Sequence, residues 1–364
     1  MNSLYNQGHT ILNKMTSRGI GTITAFLLVY CLSLFLQKAV MKAALPTKSY
    51  HLVKKIPLGG EGGWDYLTLD SAARRLYITR TTKVIVLDID TGSVVGEVPS
   101  TAGVHGVAIA PELGRGFTSN GKTSTATIFD LKTLRVLGQV ETGLNPDAIV
   151  YDPFSQQVFT FNGQSNSATV FNAKSAKILG SIDLGGKPEF AVADGLGRIY
   201  VNVEDKSEIL TLDASSLTVK ARWSLTPCSE PTGMAMDTEH RRLFVGCRNQ
   251  MMAVVDADSG NIKATLPIDS GTDATAFDPV TGLAFSSNGS GSLTVVHEDS
   301  KDKFSIVDRV VTQRGARTMA LDLNTHNVYL ATAQFRPTPA PTPGQSLKRP
   351  SIVPGSFVIL ILER

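Results

Sequence analysis

Seven residues that differ widely in chemistry occupy one recurring position: Asp65, His105, Asp147, Glu189, Thr232, Asp273 and Arg317. Each is the third residue of a short polar lead into an apolar run, as in GWDYLTLDS, GVHGVAIAP, NPDAIVYDP, KPEFAVADG, EPTGMAMDT, GTDATAFDP and GARTMALDL. Gathered in one place, such residues could act in two ways. Asp65, His105, Asp147 and Glu189 offer oxygens and one imidazole, a donor set that suits a divalent metal ion. Arg317 could instead take an anionic group of a ligand through paired hydrogen bonds. The plainer alternative is hydration, because strand ends that face a water-filled channel must be polar. Crowded carboxylates also raise one another's pKa or recruit a cation, which hydration alone does not require.

Whether these residues meet depends on the elements that carry them. The spacings between successive positions are 40, 42, 42, 43, 41 and 44 residues. A period near 40–45 with several short strands per unit is the signature of a β-propeller. Each lead is followed by a second strand (LYITR, GFTSN, VFTFN, YVNVE, LFVGC, AFSSN, VYLAT) and a third (KVIVLDI, TATIFDL, SATVFNA, EILTLDA, MMAVVDA, SLTVVHE, SFVILIL). A turn such as Asp-Thr-Gly then opens a fourth. Alternating runs rich in Val, Ile, Thr and Phe between Gly, Asn and Asp turns predict strands. Only six fourth strands lie downstream of their units, and His51–Leu58, HLVKKIPL, is the one left to complete the seventh. The expected fold is therefore all-β: a seven-bladed propeller of four-stranded antiparallel blades over 49–364. Its last blade is closed by the N- and C-terminal strands, which removes the open edges. In this arrangement all seven leads converge on one mouth of the channel.

FTSN, FTFN, YVNV and FSSN, each followed by a strand of VxVxDxxTG type, resemble the YVTN-repeat β-propeller family of exported bacterial proteins. The resemblance covers everything after the leader and implies fold and export rather than an activity. YITR, YVNVE, LFVGC and YLAT depart from the repeat's terminal Asn.

Residues 1–48 are expected to be a signal peptide or an N-terminal membrane anchor with a short linker. Gly19–Leu36 is an uncharged apolar run of bilayer-spanning length, preceded by Lys14 and Arg18. This segment carries five basic residues and no acids, so against an overall charge of +3 the body is slightly negative. Such a body lacks the basic stripe that nucleic acid needs. The expected location is the periplasm or cell envelope, with membrane contact only through an uncleaved leader, and the expected state is a monomer.

Other residues carry open alternatives. Trp64 could stack on a ligand ring or pack between blades. Met251 and Met252 suit a soft metal or an apolar ligand less well than core packing. Cys228 and Cys247 bracket one hairpin, and an oxidising compartment would favour a disulfide over two free thiols or a metal pair. Phe335–Gly355 is Pro-rich and irregular, and could lie over the mouth as a lid, present a partner motif or stay an ordinary loop. No P-loop, G-x-S-x-G, H-E-x-x-H or EF-hand motif is present.

These features predict a binding module whose polar collar takes a small ligand, a metal ion or an envelope protein, with Trp64, Asp65, His105, Asp147, Glu189, Asp273 and Arg317 as ligand-binding residues. No cofactor is required, a divalent metal ion being the one the collar could hold. A metal-dependent hydrolase or lactonase is the catalytic alternative, and a structural scaffold for an envelope complex is the third.

Overall fold

The computed structural model describes residues 48–337 and 350–364. The leader therefore lies outside the described residues, as does most of the Pro-rich segment. Among the described residues, no helix is long and apolar enough to cross a membrane.

Seven four-stranded antiparallel sheets form seven blades. Blade 1 comprises Leu67–Asp70, Arg75–Arg80, Lys83–Asp88 and Val94–Val98, and the next five repeat that order, opening at Val104, Pro146, Pro188, Pro231 and Thr272. Blade 7 takes Thr318–Leu321, Val328–Thr332 and Val358–Glu363 from the end of the chain and His51–Pro57 from its beginning. The closing pair runs antiparallel from His51↔Glu363 to Pro57↔Val358, with a bulge between Leu52 and Lys54. The two-terminus blade read from the sequence is thus the one observed.

The core lies between blades rather than within them. Phe159, Phe161 and Val170 of blade 3 pack on Val201, Leu210 and Leu212 of blade 4. Leu76 and Ile78 of blade 1 pack on Ile359 and Ile361 of blade 7. A second strand is covered on both faces by neighbouring blades, which is why Leu76, Tyr77 and Ile78 are consecutive, apolar and fully buried. The outermost strand Thr218–Ser224 has one face in solvent and keeps the alternating pattern.

Turn chemistry repeats as faithfully as the strands. At the end of the third strand, Asp88, Asp130, Asn172, Asp213 and Asp256 each accept the backbone N–H groups two and three residues on. This side-chain turn explains the recurrent Asp-x-x-Thr-Gly-like sequence. The Asn that ends the second strand acts within the blade. The amides of Asn120, Asn162 and Asn288 donate across the hairpin to Thr127, Thr169 and Thr294. All three are fully buried, so they brace the hairpin rather than line the mouth.

The inner strands fix the two faces. They begin at the collar and end in turns on the opposite face, capped by Asp70, Asp152, Asp194, Asp237, Asp278 and Asp322. The first and last described residues lie on that far face: Arg364 Nε donates to the Lys48 carbonyl, and the Tyr50 hydroxyl donates to the carbonyl of His326 in a far-face turn.

Cys228 and Cys247 are joined in a disulfide with Cα atoms 5.8 Å apart. Both are buried, so native thiol labelling would be blocked whatever their state. Labelling in denaturant, with and without reductant, should release two thiols beyond Cys31, and reduction should cost about 3 kcal/mol of stability for a loop of this length. Deleting 49–57 should bare the Val358–Glu363 edge, promote aggregation and lower the melting temperature. A soluble truncation with an unchanged melting point would show that the closing strand is dispensable.

Candidate functional site

The collar residues reach one mouth because each begins an innermost strand, but their side chains do not all point into it. Thr232 is fully buried, and its hydroxyl bonds to the carbonyls of Gly246 and Thr272. It joins blade 5 to blade 6 and does not line the mouth. Beside it, Gly233 sits so close to blade 6 that a Cβ would come 2.5 Å from the Thr275 nitrogen. The remaining six side chains form three groups.

In the first, His105 Nδ1 lies 2.6 Å from Asp65 Oδ2 and 3.5 Å from Asp147 Oδ1. One ligand atom from each of these residues falls within 4.8 Å of the others. In the second, Arg317 Nε donates to Asp273 Oδ2 at 2.6 Å, with its Nη2 4.0 Å from Asp65 Oδ1. The third holds Glu189, which is drawn away from the His105 group by Lys187 at 3.1 Å. Lys187 also binds Glu204, whose other oxygen takes Arg248 at 2.7 Å. The four-residue metal set read from the sequence therefore separates into a triad and an ion-paired Glu189.

A cavity of about 570 Å³ opens between these groups, lined by Asp65, Tyr66, Asp147, Glu189, Asp273 and Arg317, with Lys187 and Arg248 at one side. Tyr66 was not apparent as a site residue. It follows Asp65, at a position filled elsewhere by Gly106, Ala148, Gly233, Ala274 and Thr318, except that blade 4 has Phe190. The two rings meet edge-on with centroids 5.0 Å apart. Blades 1 and 4 are not neighbours, so this contact spans the channel and gives the cavity an aromatic floor. Two large rings at a position otherwise filled by small residues were the available signal.

Burial decides the electrostatics here. It raises the Asp147 and Asp273 carboxyls above the usual range, although His105 and Arg317 respectively pull them down. Glu189 is pushed up to about 8 by burial and then by Asp147, which together outweigh the Lys187 ammonium. Lys187 moves up as well. Burial lowers it, but Glu204 and Glu189 more than offset that. Both partners of this pair are therefore raised, because the site holds more negative than positive charge. His105 is lifted to about 9: burial opposes its charge, while its hydrogen bond to Asp65 and the Asp147 charge favour it. Burial and the four carboxylates keep the Tyr66 hydroxyl protonated.

Trp64 faces elsewhere. Its ring packs on Phe357 and Phe335 at centroid distances of 5.1 and 6.3 Å. It lines a separate, more apolar cavity of about 430 Å³ with Arg314, Phe335, Pro350 and Ile352. Phe335 and Ile352 form an isolated bridge at the base of the Pro-rich segment. Residues 338–349, on which a lid would depend, lie outside the described residues. Met252 is fully buried and Met251 packs on the blade 5 core, as core residues do.

Hydrazine synthase from Kuenenia stuttgartiensis has a similar structure, with a TM-score of 0.66 and 15% sequence identity, covering 78% of this chain and 95% of that one. At this identity the likeness shows the fold alone: the chain is a seven-bladed β-propeller. No protein-family model and no curated protein matches it.

The raised groups tie stability to pH in one direction. Glu189 lies above its ordinary 4.5, so its favourable contribution is complete below that value and is lost as pH rises through about 8. His105, raised from 6.5, contributes below 6.5 and loses its effect as pH rises through about 9. The melting temperature should therefore fall between about pH 5 and 9, and Glu189→Gln should flatten the lower part of that fall. A slope unchanged by the substitution would place the titration elsewhere.

Proposed function

We propose that this propeller is a binding module whose collar cavity takes a small polar ligand bearing a cationic or strongly hydrogen-bond-donating group. The observation that carries the reading is the lining of a single cavity by Tyr66 and the carboxylates of Asp65, Asp147, Glu189 and Asp273. A cation entering there would favour the ionised form of Asp147, Glu189 and Asp273, which burial and neighbouring carboxylates raise, and the Tyr66 ring lies in the same lining. Lys187, Arg248 and Arg317 stand at the same cavity and suit an anionic group on the same ligand. Nothing in the arrangement demands a bond-breaking step.

The triad of Asp65, His105 and Asp147 favours a second reading, a divalent metal ion held at the collar. A bound ion would act as a Lewis acid on a carbonyl placed in the adjoining cavity, as in a metal-dependent hydrolase or lactonase. Membership of the YVTN-repeat group, export to the periplasm or envelope, and docking of an envelope protein on the collar belong to the same proposal. They rest on the repeat sequences and on the apolar run at 19–36.

Thermal-shift screening of the full chain against small ammonium compounds, small carboxylates and divalent metal salts separates the readings. Ammonium compounds should raise the melting temperature, and Asp147→Asn or Asp273→Asn should abolish the shift. Arg317→Ala should weaken only ligands that also carry an anionic group. A shift produced by metal salts alone, and lost in Asp65→Asn and with chelator, would favour the metal reading. No shift from any class would overturn both.

A further inference from the structure

The repeat makes departures from it easy to locate, and two of them meet on the far face, between blades 5 and 6. The first is Glu298. One residue near the end of the third strand sends its N–H back to the turn between the first and second strands of its own blade. Ile89, Leu131, Ala173, Ala214 and Ala257 do this in blades 1 to 5, and Glu298 does it in blade 6, bonding to Gly282. Four of those five are buried apolar residues and Leu131 is partly buried in a core. Blade 6 therefore puts a carboxylate where apolar residues serve in blades 1 to 5, and its side chain is only 3% exposed. Both Glu298 oxygens are buried and neither accepts a hydrogen bond. An ionised group so placed is costly unless it is paired.

The second departure is His240. Three residues after the Asp that caps the inner strand, blades 3, 6 and 7 have Ser155, Thr281 and Thr325, whose hydroxyls bond to that Asp. Blade 5 has His240 instead. Its Nδ1 lies 2.8 Å from Asp237 Oδ2 and 3.4 Å from Glu298 Oε1. The Asp237 side chain is as deeply buried as that of Glu298, while the imidazole is 43% exposed. Arg242 makes its ion pairs elsewhere: it is held by Asp256 Oδ2 at 2.8 Å, Asp302 Oδ1 at 2.5 Å and the Lys301 carbonyl.

One oxygen from each carboxylate and the imidazole nitrogen lie within 4.8 Å of one another. Ligand atoms around a tetrahedral ion with bonds near 2.0–2.1 Å stand about 3.3 Å apart, so small rotations suffice to close the set. Two carboxylates balance a divalent charge, and an imidazole selects first-row transition metals over calcium or magnesium. We propose that Asp237, His240 and Glu298 form a zinc- or manganese-class metal site that ties blade 5 to blade 6 on the face opposite the collar, with water completing the shell on the exposed side. Three protein ligands and an open position fit that class. The two blades are already packed, so the site would fasten their junction and does not create it.

The test uses the full chain carrying Asp65→Asn and Asp147→Asn, which removes two of the three collar ligands and makes the result independent of the collar reading. After chelator treatment and dialysis, titration calorimetry with zinc chloride, and separately with manganese chloride, should show one equivalent bound for at least one of the two ions. Adding Glu298→Gln or His240→Gln should weaken that binding at least tenfold. His240 is half exposed, so its substitution should preserve the circular dichroism spectrum even if the buried Glu298→Gln does not. The proposal is overturned if the background variant binds neither ion, or if its affinity survives His240→Gln.

Discussion

The antiparallel pairing of His51–Pro57 with Val358–Glu363 is the constraint on which the rest of the molecule depends. A propeller blade is stable because its neighbours cover both faces, and an unclosed ring would leave two blades half covered. Ile56 of the N-terminal strand joins the same core as Ile359 and Ile361 of the C-terminal one and Leu76 of blade 1. This one hairpin-like contact therefore joins residues some 300 positions apart and completes the cores on either side of blade 7. The collar inherits its geometry from that closure, since residues on different inner strands face one another only if the strands stand in a ring.

Within the ring, the collar is shaped by competition between burial and charge. A mouth that needed only wetting would carry neutral polar groups, as Thr232 shows by turning inward to bind backbone. Instead, carboxylates accumulate beyond the number the local cations can satisfy. His105, Lys187 and Arg317 each hold at least one of them, yet burial still raises Asp147, Glu189 and Asp273. Such a site is energetically unfinished in isolation, because each added positive charge would be stabilised by several carboxylates at once.

The strands and the ring were legible in the sequence because their causes are local and repeated: alternation, Asp turns and a nearly constant period. Placing the collar residues needed only that period. Their pairings were not legible, since they depend on side chains that arrive from other loops. Lys187 precedes its strand, Glu204 ends another and Arg248 belongs to the next blade, yet together they decide where Glu189 points. The role of the terminal Asn of the second strand was hidden for a different reason. A polar residue at a strand end reads as exposed, but Thr or Ser on the facing strand satisfies Asn120, Asn162 and Asn288 inside the blade. Trp64 does both things its sequence position allowed: it packs on Phe335 and Phe357 and also lines a cavity that shares Arg317 with the collar.

Closing the ring with the two terminal strands also gives the molecule a direction. Lys48 and Arg364 meet at the far face, beside the turn containing His326, so the described chain starts and finishes on the side away from the collar.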